Sequence, residues 1–96
     1  PSFVVRKRGG ARVEETLDPA ETRRFEALRA HRLETAQAEG VPPYVVASDR
    51  SLRDLARLQP TRQADLERAH GIGEAKAERY GPGFLKVLRD LADADS

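Results

Sequence analysis

Three groups of side chains in this sequence could meet a ligand, and the first is built around one aromatic ring. Tyr44 directly follows Pro42 and Pro43 and precedes Val45 and Val46. The two prolines stiffen the segment and push the residue before them toward extended backbone, so the ring has little conformational entropy left to lose on binding. Such a ring suits a stacking platform, on which a nucleobase gains about 1 to 3 kcal/mol without sequence preference. It would equally suit an anchor lodged between helices.

Arginines form the second group. Arg50, Arg53 and Arg57 are spaced so that a helix projects them within about a 60° sector. That short basic stripe reads either as a solvated face or as a track for phosphates. Arg29 and Arg32 pose a different question, because they fall on or between the positions of an apolar stripe made by Phe25, Leu28 and Ala36. Their stems can pack while the guanidinium groups reach solvent or a carboxylate such as Asp54, or they can present to phosphate.

The third group is Gly71-Ile72-Gly73 with Lys76 one turn further on. Glycines leading into a helix expose N–H groups to an anion, and Lys76 would add charge. The same glycines also serve a sharp turn between two short helices, with Ile72 plugging the core.

Carboxylates are clustered as well. Glu14, Glu15, Asp18 and Glu21 follow the basic run Arg6, Lys7, Arg8 and Arg12, while Asp90, Asp93 and Asp95 gather at the end. These blocks make an electrostatic surface suited to neighbouring domains as much as to DNA. His31 and His70 are too far apart for a local metal site, and the chain has no cysteine, so neither a metal nor a cofactor is expected. There is no phosphate-binding loop ending in Gly-Lys-Ser/Thr and no two-metal acidic cluster, so the domain itself is expected to be non-catalytic.

Composition limits what can position these groups. The chain has 96 residues, 34% of them charged and only 5% aromatic, with a net charge of +1. A single domain of this size buries only about 60 to 65% of its unfolded surface, and a composition rich in Ala, Leu, Glu and Arg favours short amphipathic helices over a sheet. Near-neutral charge argues against strong autonomous binding to nucleic acid and leaves room for a local basic patch. No segment resembles a membrane span or a signal peptide, so a cytoplasmic domain with no membrane partner is expected. The absence of methionine, position 1 included, suggests a segment of a longer reading frame whose function is subordinate to a parent.

The expected fold is all-α, a compact bundle of about five short helices over residues 18–96, preceded by an arm or linker over residues 1–17. In the arm, Phe3-Val4-Val5, Gly9-Gly10 and Ala11-Arg12-Val13 suggest a hairpin-like turn; a tether with solvated charges and a DNA-gripping basic arm are the two readings. Asp18, Pro19 and Glu21 predict a capping box opening a helix that runs to Glu39, closed by Gly40 and Pro42-Pro43. Ser48-Asp49 or Ser51 caps a second helix, with Leu52, Leu55 and Ala56 on its core face and Pro60 forcing its end. Thr61 caps a short third helix carrying Leu66 and Ala69, and Gly71 ends it. A fourth runs through Ala75, Ala77 and Tyr80 to a break at Gly81-Pro82-Gly83, and a fifth carries Phe84, Leu85, Val87, Leu88 and Leu91.

Taken in order, several segments resemble one known family. They are Leu28-Arg29-x-x-Arg32, Val41 to Asp49 (VPPYVVASD), Ser51 to Ala56 (SLRDLA), Gly71 to Lys76 (GIGEAK) and Tyr80 to Leu85 (YGxxFL). Over residues 18–92 the chain resembles the HRDC domain, the module found at the C-terminal ends of RecQ-type DNA helicases and RNase D-type exonucleases. Arg24, His31 and Thr35 stand where that family usually carries apolar residues, so either the core is thinner there or polar contacts replace it; His31 reads as an edge histidine or as a pH-dependent, partner-facing group.

The resemblance implies an auxiliary role in a RecQ-like helicase, or in an RNase D-like exonuclease, acting on DNA structure in repair and recombination. It places Tyr44 in the binding region, with Arg50, Arg53, Arg57, Arg32 and Lys76 as candidate phosphate contacts. The partners it implies are single-stranded or structured DNA, bound weakly and without sequence preference, and other domains of the same helicase. The isolated domain is expected to be monomeric. The rival expectation is an interaction module that docks on the parent through Glu14, Glu15, Asp18, Glu21, Asp90 and Asp93 and alters DNA affinity indirectly.

Overall fold

Asp18 and Glu21 begin the first helix by capping one another. The Asp18 carboxylate accepts from the Glu21 N–H at 2.8 Å, and the Glu21 carboxylate accepts from the Asp18 N–H at 3.0 Å. The computed structural model describes residues 17–94, and among these the chain is helical and contains no strand. In order, the elements are α1 (Pro19–Glu39), α2 (Pro43–Val46), α3 (Asp49–Leu58), a 3-10 helix (Gln63–Arg68) and α4 (Glu74–Ala94). The N-terminal arm expected over residues 1–17, hairpin-like or not, lies outside the described residues except for Leu17, and so do Glu14 and Glu15.

Two of the expected helix ends are present as read. Gly40 closes α1 in the left-handed conformation at φ 70°. Ser48 caps α3, its hydroxyl accepting from the Ser51 N–H at 3.1 Å. The 3-10 helix starts differently, with Arg62 rather than Thr61 at its cap position and no side-chain cap bond. No helix is predicted between Gly40 and Ser48, and there the chain forms α2, a single turn that Pro43 opens; the Ala47 N–H closes it on the Pro43 carbonyl at 3.3 Å.

The larger correction concerns Gly81-Pro82-Gly83, where the break expected between two helices is absent and α4 runs through. An interior proline costs about 3 kcal/mol and each glycine about 1 kcal/mol against helix formation. Continuity keeps Ala77, Tyr80, Phe84 and Leu88 buried on one stripe. Each large apolar side chain buried contributes about 1.5 to 3 kcal/mol, enough together to offset the breakers. The glycines are also needed for close approach. A Cβ at Gly81 would come within 2.4 Å of Leu66 Cδ1, and one at Gly83 within 2.6 Å of His31 Nε2. They admit the 3-10 helix and α1 onto the surface of α4.

Contacts fix the directions of the helices. The Tyr80 hydroxyl, early in α4, donates to Glu39 at the end of α1 at 2.9 Å, and Phe84 meets His31 edge-on at 5.7 Å, so α4 runs antiparallel to α1. α3 also runs antiparallel to α1, since Asp49 at its start pairs with Arg32 and the Ala56 carbonyl near its end accepts from Arg24 Nε at 2.7 Å. Arg24 thereby supplies both a hydrogen bond and a cation to the C-terminal end of α3. Leu28, Val46, Leu52, Leu55, Leu66, Phe84 and Leu88 fill the space between. Arg24, His31 and Thr35 do replace apolar contacts with polar or mixed ones: Arg24 on Ala56, His31 on Phe84, and Thr35 at 3.4 Å from His31.

Candidate nucleic-acid interface

Tyr44 is exposed, with 71% of its surface open, so the ring is not a core anchor. Its backbone is nevertheless held from both sides. Ahead of it Pro42 is extended at φ −63° and ψ 149°, and the Val41 N–H donates to Ala36 at 3.0 Å. Behind it Arg32 donates from its Nη1 to the Ala47 carbonyl at 3.0 Å, and from its Nη2 to Asp49 at 2.8 Å. α2 is thereby strapped along the turn of α1 between Arg32 and Ala36, with Val46 turned into the core and Tyr44 and Val45 turned out.

This arrangement corrects two expectations for Arg32. Its guanidinium is buried between α1 and the α2–α3 junction and is not presented to phosphate, and its carboxylate partner is Asp49 rather than Asp54. Its Nε is buried without a hydrogen-bond partner among the described residues. Asp54 serves elsewhere, accepting the His70 N–H at 2.8 Å and lying 3.9 Å from Arg57. Arg29, by contrast, is at the surface, paired with Glu26 at 3.5 Å and lying over the Phe25 ring at 5.8 Å.

Arg50, Arg53 and Arg57 do share one flank of α3. Asp49 turns toward α1, while Ser51 and Asp54 engage His70 in the turn before α4. By the helical period the stripe lies on the outer side of α3, between Asp49 on the α1 side and Asp54 on the side of that turn. Among the described residues Arg50 and Arg53 have no ion-pair or hydrogen-bond partner, whereas Arg57 is partly buried beside Asp54. On α1, His31 and Glu39 face α4, Arg32 and Ala36 face α2 and α3, and Arg29 and Leu33 follow at the rim beyond them. The rim of α1, the outer side of α2 and the arginine flank of α3 therefore make one face. Sequence reasoning missed Leu33 and Val45, which are exposed at 48% and 39%. Their apolar type alone gave no signal that they lie at the surface.

Other candidates lie apart from this face. Lys76 is half-buried in the first turn of α4, which follows the turn that packs against Ser51 and Asp54. Ile72 is buried and Gly71 turns the chain at φ 74°, whereas a Cβ at Gly73 would meet nothing within 4 Å. Asp18 and Glu21 are engaged in their capping box, and Asp90 pairs with Lys86 at 2.9 Å. Asp93 is exposed near the end of α4. Nearby, Leu85, Leu88 and Ala92 line an open apolar cleft of about 190 Å³ with Gln59, Pro60 and Arg89. No described helix is long and apolar enough to cross a membrane.

Known proteins are similar to this chain in sequence and fold. The HRDC domain family model matches residues 21–88. The ATP-dependent DNA helicase RecQ of Bacillus subtilis is 41% identical over 68 residues, covering 71% of this chain and 12% of that protein. The ATP-dependent DNA helicase UvrD2 of Mycobacterium tuberculosis is 44% identical over 62 residues, 65% of this chain and 9% of that protein. The chain thus spans about a tenth of the length of these relatives. Among solved structures, HRDC domain 3 of D. radiodurans RecQ superposes with a TM-score of 0.73 at 33% identity, covering 76% of this chain and 96% of that domain.

Proposed function

The chain belongs to the HRDC domain family, and on that premise we propose that it is an auxiliary domain of an ATP-dependent DNA helicase, binding single-stranded or structured DNA weakly and without sequence preference. The observation that carries this reading is the exposure of Tyr44 on a strapped turn beside Arg50 and Arg53. A flat ring meets any base, unpaired guanidinium groups meet any phosphate, and neither reads base edges. The domain contributes affinity and placement in the cytoplasm, as a monomer without a cofactor, and the parent contributes ATP hydrolysis and unwinding. The relatives named above are helicases of two kinds, RecQ and UvrD2, which supports a helicase parent without choosing between them.

A second reading has its own support in the open apolar cleft near Asp90 and Asp93, which suits docking on another domain of the same helicase. One titration separates the two. Wild type, Tyr44→Ala and Arg53→Glu are titrated against single-stranded and forked DNA at two salt concentrations. Direct binding through two or three phosphates predicts a log-log salt slope of about −1.4 to −2.1 for single strands. Both variants should weaken it. No binding at low salt would remove the first reading, and reversal of Asp90 and Asp93 in the full-length parent would then be expected to change its DNA affinity.

A further inference from the structure

Among the described residues, three of the four large exposed hydrophobic ones, Leu33, Tyr44 and Val45, belong to the short stretch where α2 lies along α1; the fourth, Leu58, is at the end of α3. Tyr44 and Val45 are successive residues on the outer side of a single helical turn. Leu33 sits within the α1 turn bracketed by the Val41–Ala36 and Arg32–Ala47 hydrogen bonds. His31 and Thr35 occupy the flank of that turn that faces α4, so Leu33 is on the flank open to solvent beside α2.

The charges around this patch identify what covers it. Arg29 borders it on α1, and Arg50 and Arg53 extend from it along α3. Of the carboxylates here, Glu26 is matched by Arg29 and Asp49 by Arg32, while Glu34, next to Leu33 in sequence, lies about 100° round the helix from it. An apolar patch rimmed by cations, with its carboxylates neutralised internally, complements a polyanion that carries apolar faces. A single nucleic-acid strand is such a ligand, whereas an apolar protein helix would gain nothing from the uncompensated arginines.

We infer that Leu33, Val45 and Tyr44 form a platform for two successive bases, one stacked on the Tyr44 ring and its neighbour laid on the aliphatic shelf of Leu33 and Val45. The backbone of the bound strand follows the Arg50 and Arg53 flank. This deepens the nucleic-acid reading and rests on it. It adds a site size that one ring and a line of arginines would not impose.

The test uses the 96-residue chain and fluorescently labelled single strands of about eight sugars, within the range one small domain covers. Each strand is abasic except for one, two or three adjacent thymines at its centre. Fluorescence anisotropy at low salt should show at least about a fivefold gain in affinity from one base to two, and little more from two to three. Leu33→Ser should erase the one-to-two gain. A monotonic rise through three bases, no gain from the second, or a gain that survives Leu33→Ser overturns the platform while the nucleic-acid reading stands. If wild type binds none of the strands, nor a full oligothymidylate, both fall. The wild-type series needs no variant to fold.

Discussion

The two long sides of α1 are finished in opposite ways. Where α1 meets α4, polar groups find each other: Glu39 accepts from Tyr80 and pairs with Arg79 at 3.2 Å, and the His31 ring fills the space that Gly83 leaves over Phe84. Where α1 meets α2, Leu33, Tyr44 and Val45 are left in water, and along α3 Arg50 and Arg53 have no described partner. Both sides share the same core, so the difference lies in which side chains are released from folding. On one side the surface completes the fold; on the other the fold presents a surface. Arg32 works between them, its burial being what holds the presenting turn in place.

The sharpest way to break this contrast is to damage the self-satisfied side. Phe84→Ala removes the largest fully buried side chain and should cost about 3 to 5 kcal/mol in urea unfolding followed by circular dichroism. DNA affinity, once scaled to the folded fraction, should be unchanged. A loss per folded molecule comparable to that of Tyr44→Ala would show that the two sides are not separable.

Tyr44→Ala should behave in the reverse manner. With 71% of the residue exposed, its loss should change stability by no more than about 0.5 kcal/mol, and single-strand affinity should fall by about 1 to 3 kcal/mol. A drop in unfolding midpoint without a drop in affinity would make the ring a structural anchor after all. It would then belong with the α4 side.

That outcome bears on how legible the molecule was from its residues. The caps at Asp18 and Ser48 and the stop at Gly40 were readable because each depends on bonds within a few residues. Gly81-Pro82-Gly83 misled for the converse reason. Its local signal is a break, and the burial that overrides it comes from Leu66 and His31, distant in sequence. Arg32 shows the same limit. An arginine on an apolar stripe announces either a strut or a phosphate contact, and only the fold brings Ala47 and Asp49 to it. Tyr44 and the α3 arginines were identifiable by type and spacing, but Leu33 and Val45 look like ordinary core residues until their exposure is known.

Arg53→Ala should have a smaller effect than the loss of the ring. Removing one half-buried, unpaired cation should cost less than about 1 kcal/mol of affinity at moderate salt and flatten the log-log salt slope by about 0.7 for a single strand. Lys76→Ala, in the first turn of α4, should leave the slope unchanged. Equal flattening by both would mean that phosphate contact is diffuse over the surface and not confined to one face.

The smallest expected effect lies on the α4 side and is a matter of pH. The Tyr80 hydroxyl, and then the Arg79 guanidinium, hold the Glu39 carboxyl below its ordinary pKa. A carboxylate depressed in the folded state stabilises the fold fully above its unfolded pKa, and that contribution disappears as pH falls through the folded value. Wild type should therefore lose a little more stability than Glu39→Gln between neutral pH and about pH 3, and the two thermal-unfolding curves should converge at the acid end. The cluster lies at the surface, so solvent screening keeps the difference small, and salt should shrink it further. DNA affinity at neutral pH should be the same in both proteins. A change in affinity with Glu39→Gln would mean that the end of α1 communicates with the adjoining α2 turn, and that strapping by Arg32 and Val41 alone does not set the position of Tyr44.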